Sequence, residues 1–302
     1  MVNITHKSNS LRTAVAQATV RVSKQETIHA IQNNLVPKGN VFEMAKTAGL
    51  FAVKKTSDVI PDCHPLPIEY TAVEYTIEGL NIIINITVST IYKTGVEVEA
   101  MHGASVIALT MYDMLKPIDK GIEINNVKLS HKKGGKSDFK NDSSANFKAV
   151  VVVCSDTISA GKKEDKAGLA ICDKLTSCDI IIEHYTIIPD EFDKIQSLVK
   201  HYANEVDFLI FTGGTGLSPR DVTPEAIEPL LDRRIPGVEE AIRSYGQQRT
   251  PYSMLSRSIA GNVGNTLILA LPGSTNGAKE SMEAIFPAAK HLAKVFRGGR
   301  HD

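Results

Sequence analysis

The 302-residue sequence predicts two successive domains, an α+β unit followed by an α/β unit built on a doubly wound parallel sheet. Its length exceeds what one hydrophobic core usually spans. The first half mixes helical periodicity with a clear hairpin and shows no strict alternation of strand and helix. The second half alternates short, wholly apolar strands with helices, the pattern of a parallel sheet covered on both faces. Between them runs HKKGGKSDFKNDSSAN (His131–Asn146), basic, rich in Gly, Ser and Asn, and without apolar periodicity. The boundary is placed near Asp142–Ala145, giving domains over residues 1–140 and 146–302.

In the first domain, Lys24–Asn34 and Asn40–Lys54 read as helices. Leu66–Ile77 alternates through Ile68, Tyr70, Val73, Tyr75 and Ile77, and pairs across Glu78-Gly79 with Asn81–Ile91 as a hairpin. Val96–Leu115, rich in Ala, Val and Met, is a long helix, and Ile122–Leu129 is a closing strand. In the second domain, strands Ala149–Cys154, Ile180–Ile187, Phe208–Phe211 and Thr266–Leu271 alternate with helices Lys163–Thr176 and Glu191–Ala203. More helices precede Thr266, and a final one spans Ala278–Phe296. In such sheets ligands sit beyond the carboxyl ends of the strands.

Composition removes several functional classes. Lys+Arg and Asp+Glu are equal at 34 each, so no overall basic field draws in nucleic acid. Cys63, Cys154, Cys172 and Cys178 form no CxxC pair and no zinc spacing, which suits a reduced, intracellular protein. The amino terminus, MVNITHKSNSLR, has no apolar targeting core, and no apolar run reaches membrane-spanning length. The expected address is the cytoplasm.

The most informative segment is FTGGTGLSPRDVTPE (Phe211–Glu225), where an apolar strand runs into glycines and then a helix start. Glycines there let backbone N–H groups approach an anion closely. The segment lacks the spacing and lysine of a P-loop and the GxGxxG of a dinucleotide fold. Two further loops leave strands at the same edge, SDTISAG (Ser155–Gly161) and LPGSTNG (Leu271–Gly277). Together the three loops offer Ser155, Asp156, Gly213, Gly214, Thr215, Gly216, Gly273 and Ser274 as binding candidates. Asp190 and Asp221 each precede an expected helix. Either residue could be an N-cap, or the two could hold a magnesium ion bridging nucleotide phosphates. Ser274 and Thr275 could bind phosphate or cap the last helix.

SDTISAG, TGGTGLSPRDVTPEA, TPYSMLSRSIAG and LPGSTNGAKESM together resemble the molybdopterin adenylyltransferase family, over Asn146 to about Arg297 and in the family's order. The resemblance implies transfer of AMP from Mg-ATP to the terminal phosphate of molybdopterin, releasing pyrophosphate. It makes Asp190 and Asp221 the functional acids and lines the phosphate site with Gly213, Gly214, Thr215 and Gly216. A non-catalytic pterin-binding or assembly module is the alternative for this half.

In the first half, PDCHP (Pro61–Pro65) fixes Cys63 and His64 in a rigid loop between prolines. KTGVEVEA (Lys93–Ala100) puts Glu97 and Glu99 at a helix amino terminus, where they could simply complement its dipole. MYDMLK (Met111–Lys116) sets Asp113 and Lys116 at i, i+3 on one face, either a surface ion pair or a partly desolvated pair able to exchange protons. Lys38, Lys54, Lys116, Lys132 and Lys136 could supply the charge a triphosphate needs. Glu99 and Asp113 lie fourteen residues apart on one helix, about 21 Å along its axis. They cannot meet one small molecule within one chain, so a shared site would lie between protomers.

KGNVFEMAKTAGLFAVKKT, IPDCHPLP, KTGVEVEAMHGASVIALTMYDMLK and GGKSDFK resemble the cyclic pyranopterin monophosphate synthase family over nearly all of residues 2–140. The resemblance implies an α+β, ferredoxin-like subunit that rearranges a cyclised dihydro-GTP with loss of pyrophosphate. It makes Asp113 the catalytic acid/base, assisted by Lys116, and gives Lys38 to the triphosphate or to proton transfer. Cys63, His64, Val98 and Glu99 become substrate contacts, joined by Asp62, Glu97 and Lys132 as candidates. It also implies a homo-oligomer, and hexamers and trimers of the two families share a threefold axis. Asn40, Asp62, Val98 and the shortened GGKSDF loop depart from the family's pattern. Activity is expected to survive these departures. The first half carries no firm cofactor expectation; Mg with ATP as substrate is expected for the second.

Overall fold

A computed structural model describes residues 1–135 and 146–298. The chain divides into two compact units, Met1–Asp138 and Phe139–Asp302. The boundary expected near Asp142–Ala145 lies outside the described residues.

The first unit runs β1 (Ser10–Arg21), α1 (Gln25–Gln32), α2 (Val41–Lys54), α3 (Thr56–Val59), β2 (Tyr70–Glu78), β3 (Asn81–Tyr92), α4 (Glu97–Leu115) and β4 (Glu123–Lys133). Its four strands form an antiparallel sheet in the order β2-β3-β1-β4. The expected hairpin is β2–β3, with Glu78 opposite Asn81. Sequence reading missed β1, although it is a central strand. Its inward residues are Ala14, Ala16, Ala18 and Val20, and alanine carries little strand signal. The same alanines set the packing, since a small-residue strip lets α4 lie close. They face Val88, Ile86, Ile84 and Ile82 of β3 in register. On α4, Ala100, Ala104, Ile107, Ala108 and Met111 are fully buried. At Gly103 a β-carbon would lie 2.7 Å from both Ile86 and Val53, so a glycine is what lets the helix sit there. α4 is thereby fixed against the sheet and carries candidate residues at both ends.

Asp119, 2% exposed, clamps the turn after α4 to the turn after β1. It accepts hydrogen bonds from Ser23 N–H (2.9 Å), Ser23 Oγ (2.5 Å), Thr27 Oγ1 (2.9 Å) and Gly121 N–H (3.0 Å). Burial alone raises its pKa, but these donors outweigh burial and hold it at about 2. A depressed carboxylate stabilises the fold above its unfolded pKa and loses that contribution as pH falls through the folded one. The contribution is about 2 kcal/mol at neutral pH, lost between roughly pH 4 and pH 2. Asp119→Asn is expected to lower stability at pH 7 by about 2–4 kcal/mol. Urea titration at pH 7 and pH 3 checks this: the wild-type advantage shrinks at the lower pH.

The second unit runs β5 (Phe147–Cys154), α5 (Asp156–Ser159), α6 (Ala167–Thr176), β6 (Ile180–Ile188), α7 (Phe192–Tyr202), β7 (Phe208–Thr212), α8 (Thr223–Ile227), β8 (Arg233–Arg234), α9 (Pro236–Gln247), β9 (Ile259–Val263), β10 (Thr266–Leu271), α10 (Thr275–Ile285) and α11 (Ala289–Phe296). The sheet order is β6-β5-β7-β10-β9-β8. β6, β5, β7 and β10 are parallel, as expected; β5, β7 and β10 are buried along nearly their whole length, whereas the edge strand β6 is buried only at Ile180. The sheet is nonetheless mixed rather than wholly parallel, because β9 pairs antiparallel with β10 and with β8. Gly261 and Asn262 inside β9 hid that strand from propensity reasoning. The single closing helix expected over Ala278–Phe296 is two, interrupted at Phe286-Pro287, where proline cannot continue the hydrogen-bond ladder. Helix α6 starts four residues later than expected, since Asp165 accepts from the N–H groups of Ala167, Gly168 and Leu169.

Candidate functional sites in the two units

Each end of α4 gathers a separate group of side chains. At its carboxyl end, Asp113 is held between two lysines. Lys38 Nζ donates to Asp113 Oδ2 at 2.7 Å and to its carbonyl at 2.9 Å, while Lys116 Nζ reaches Oδ1 at 2.7 Å. The hydrogen bonds from Lys116 and then Lys38 pull the Asp113 pKa down to about 2, and Asp113 in turn raises that of Lys116. The pair is not partly desolvated, as its helix suggested: both side chains are 52% exposed, because they stand off the buried face of α4, which runs on through Met111, Met114 and Leu115. The lysines, not burial, set the carboxylate's charge.

At the amino end, Glu99 is 3% exposed and accepts from Cys63 Sγ at 3.1 Å. Its other oxygen, Oε2, is buried without a hydrogen-bond partner among the described residues. Burial, with Glu99 adding to it, pushes the Cys63 thiol up to about 12, so Cys63 is a neutral donor rather than a thiolate. His64 Nε2 contacts the Val2 carbonyl at 2.8 Å, and Asp62 pairs with the Met1 ammonium at 2.9 Å. Glu97 pairs with Lys132 at 3.3 Å, and Val98 is exposed on the first turn. Lys54 is exposed at the end of α2, and Lys136 lies outside the described residues. The two groups therefore do not come together within one chain.

In the second unit the four parallel strands bring their carboxyl-end loops side by side. Gly213 has φ +104, and a side chain there would strike the Cys154 carbonyl. Its N–H donates to Leu271 O at 3.1 Å, so it stitches β7 to β10 and is not free for a ligand. Gly273 packs against the Gly213 Cα, where a β-carbon would lie 2.9 Å away. The N–H groups of Gly214, Thr215 and Gly216 have no partner among the described residues. At Gly214 (φ +61) a side chain would collide with Thr223 Oγ1 and Asp190 Oδ1. Those two atoms are buried and have no hydrogen-bond partner among the described residues. Thr223 itself is fully buried.

Neither acid is a helix cap. Asp190, at the end of β6, exchanges hydrogen bonds with Asp156: each backbone N–H donates to the other's carboxylate at 3.1 Å. Asp221 Oδ2 accepts from Ser218 N–H at 2.9 Å, closing its own turn ahead of α8. Burial, then the charges of Asp156 and Asp221, raise the Asp190 pKa, while Arg220 lowers that of Asp156. Ser155 and Ser274 do cap helices, accepting from Ile158 N–H at 3.4 Å and Gly277 N–H at 3.2 Å. Beside Gly273–Gly277 lies a cavity of about 520 Å³ lined by Arg249, Tyr252, Ser256, Ser274, Asn276 and Glu280.

Among the described residues no three His, Cys, Asp or Glu side chains converge as a metal cage. Magnesium needs none, since it binds through one or two carboxylates plus phosphate oxygens. The orphaned Asp190 Oδ1 fits that role. Sequence reasoning missed Arg257, which fastens the glycine loop by donating to the carbonyls of Gly216 (2.8 Å) and Asp221 (2.7 Å) and pairing with Glu225. It sits within the TPYSMLSRSIAG motif but 41 residues from Gly216, so nothing local tied it to the glycine loop. No helix among the described residues is long and apolar enough to cross a membrane.

Residues 1–135 match the model of the MoaC family, and residues 150–291 that of a "Probable molybdopterin binding domain". A molybdenum cofactor biosynthesis bifunctional protein of Chlorobaculum tepidum is 40% identical over 304 residues, covering 100% of this chain and 96% of its own. The chain belongs to the bifunctional molybdenum cofactor biosynthesis protein family. Other relatives match part of the chain. The cyclic pyranopterin monophosphate synthase of Pelobacter propionicus is 48% identical over 139 residues, 45% of this chain and 86% of its own. The molybdopterin biosynthesis enzyme MoaB of Thermus thermophilus is a solved structure 39% identical to the chain, covering 52% of it and 99% of its own length, with a TM-score of 0.49.

Proposed function

We propose that the first unit converts cyclised dihydro-GTP to cyclic pyranopterin monophosphate with release of pyrophosphate, and that the second adenylylates molybdopterin with Mg-ATP. The observation that carries this reading is the Lys38–Asp113–Lys116 clamp, a charged acid/base group set beside cations suited to a triphosphate. Asp113 is ionised across the neutral range. Its basicity rises once either lysine shifts to a substrate phosphate, and Lys116 is then the proton donor. At the other end of α4, Glu99 Oε2 and the Cys63–His64 loop receive the pterin. With these ends about 21 Å apart, the complete site forms between protomers, which makes the protein a homo-oligomer, a trimer or hexamer about a threefold axis. The strand order β2-β3-β1-β4 with helices in both crossovers supports a ferredoxin-like subunit.

In the second unit the Gly214, Thr215 and Gly216 N–H groups hold phosphate oxygens, while Gly213 and Gly273 keep the backbones close enough for that nest to exist. Asp190 and Asp221 would hold magnesium, which when bound neutralises triphosphate charge and polarises the reacting phosphorus. Ser155, Asp156 and Ser274 border the same site. A cytoplasmic address belongs to this reading, supported by four free thiols.

Mass spectrometry of full-chain incubations tests both halves. Cyclised dihydro-GTP should yield the cyclic monophosphate and pyrophosphate, and molybdopterin with Mg-ATP should yield the adenylylated pterin. The first product without the second would leave the second unit a pterin-binding module.

A further inference from the structure

One contact at the acid cluster has no part in the chemistry above. The Arg220 guanidinium grips Asp156 with two bonds, Nε to Oδ2 at 3.0 Å and Nη2 to Oδ1 at 2.8 Å. Asp156 Oδ1 also accepts the Asp190 N–H, so the arginine spans from the loop after β7 to the loop after β5, across the mouth of the cluster. Both side chains are substantially exposed, at 63% and 43%, and a pair so solvated is weakly held and easily exchanged. Phosphate oxygens offer the same forked geometry as the carboxylate, with more charge. Arg220 stands on the loop whose Gly214, Thr215 and Gly216 N–H groups are unpartnered among the described residues. The fully buried Thr223 hydroxyl beneath that loop is unpartnered as well.

We infer that Arg220 is a polyphosphate-binding residue held in reserve by Asp156, its guanidinium passing from that carboxylate to a phosphate oxygen when a nucleotide enters. Asp156 is then a positioning residue that competes with the ligand for the arginine, and the exchange leaves its carboxylate with the Asp190 N–H. No bond other than hydrogen bonds is made or broken. The inference rests on the nucleotide reading of the second unit.

Calorimetric titration of the full chain with Mg-ATP, without molybdopterin, tests it on wild type, Arg220→Ala, Arg220→Lys, Asp156→Asn and the double variant. Loss of the bidentate cation should weaken binding about tenfold or more in the alanine variant and less in the lysine one. Asp156→Asn should tighten binding about threefold at low salt, because the competitor has gone. The double variant should match Arg220→Ala alone, since without the arginine there is nothing to compete for. An Asp156→Asn that weakens binding as much as Arg220→Ala makes the pair a loop brace and overturns the inference. So does an Arg220→Ala that binds normally. Absence of ATP binding to the wild type would instead remove the nucleotide reading itself, and the reserve role with it.

Discussion

Asp113→Asn is expected to lower turnover of cyclised dihydro-GTP by about 10²–10⁴-fold while leaving adenylylation by the second unit unchanged. The amide keeps the size of the side chain but cannot accept a proton. It also ends the clamp, since Lys38 and Lys116 lose the charge that draws both within 2.7 Å. Because Asp113 lies outside the buried core, folding should not suffer, and the loss should fall on kcat rather than on stability. The depressed pKa carries a second expectation. A carboxylate at about 2 is fully ionised above roughly pH 4, so the free enzyme should show no acidic limb from Asp113 in kcat/KM between pH 5 and 8. Single-turnover kinetics across that range measure both. A variant within a few-fold of wild type would move the proton transfer to another group.

Asp190→Asn is expected to cost the second unit about 10²–10³-fold in adenylylation while leaving its stability equal or higher. A residue that only braced loops would show the reverse. Asp190 is half-buried beside Asp156 and Asp221, and its raised pKa means that the folded protein resists its charge. A raised carboxyl favours the folded state at low pH and loses that advantage as pH rises past its unfolded value. The asparagine variant should therefore match wild type near pH 3 and gain on it toward pH 7. It keeps an oxygen for the Asp156 N–H, so the contact between the two loops survives. Adenylylation assays paired with thermal unfolding at both pH values separate the roles. Full activity in the variant would exclude Asp190 from the reaction.

What could be read from the sequence follows from which interactions are local. The glycine loop after Phe208–Phe211 was legible because an apolar strand, a glycine run and a new helix are adjacent in the chain. The distance between Glu99 and Asp113 was legible because a helix converts residue count into length. β1 was not, since its core face is alanine, and β9 was not, since glycine and asparagine occupy it. Chemistry was easier to read than contact. Lys38 and Asp113 were named as candidates from residue type, yet their hydrogen bond joins residues 75 apart. Asp156 was named without Arg220 as its partner, 64 residues away. For Asp190 and Asp221 the sequence left a helix cap open beside a ligand role, because acids before helices are often caps; the sheet instead turns Asp190 toward Asp156, and a local turn occupies Asp221.

The proposed function makes the first site a property of two chains, because its residues stand at opposite ends of α4, and a mixing experiment tests that directly. Glu99→Gln and Asp113→Asn variants, each inactive alone, are combined under conditions that exchange protomers, and cyclic pyranopterin monophosphate formation is measured. If each site takes Glu99 from one protomer and Asp113 from its neighbour, random pairing restores about a quarter of the wild-type sites. If both residues served a site within one chain, every site would carry a defect, and the mixture would stay as inactive as its parts.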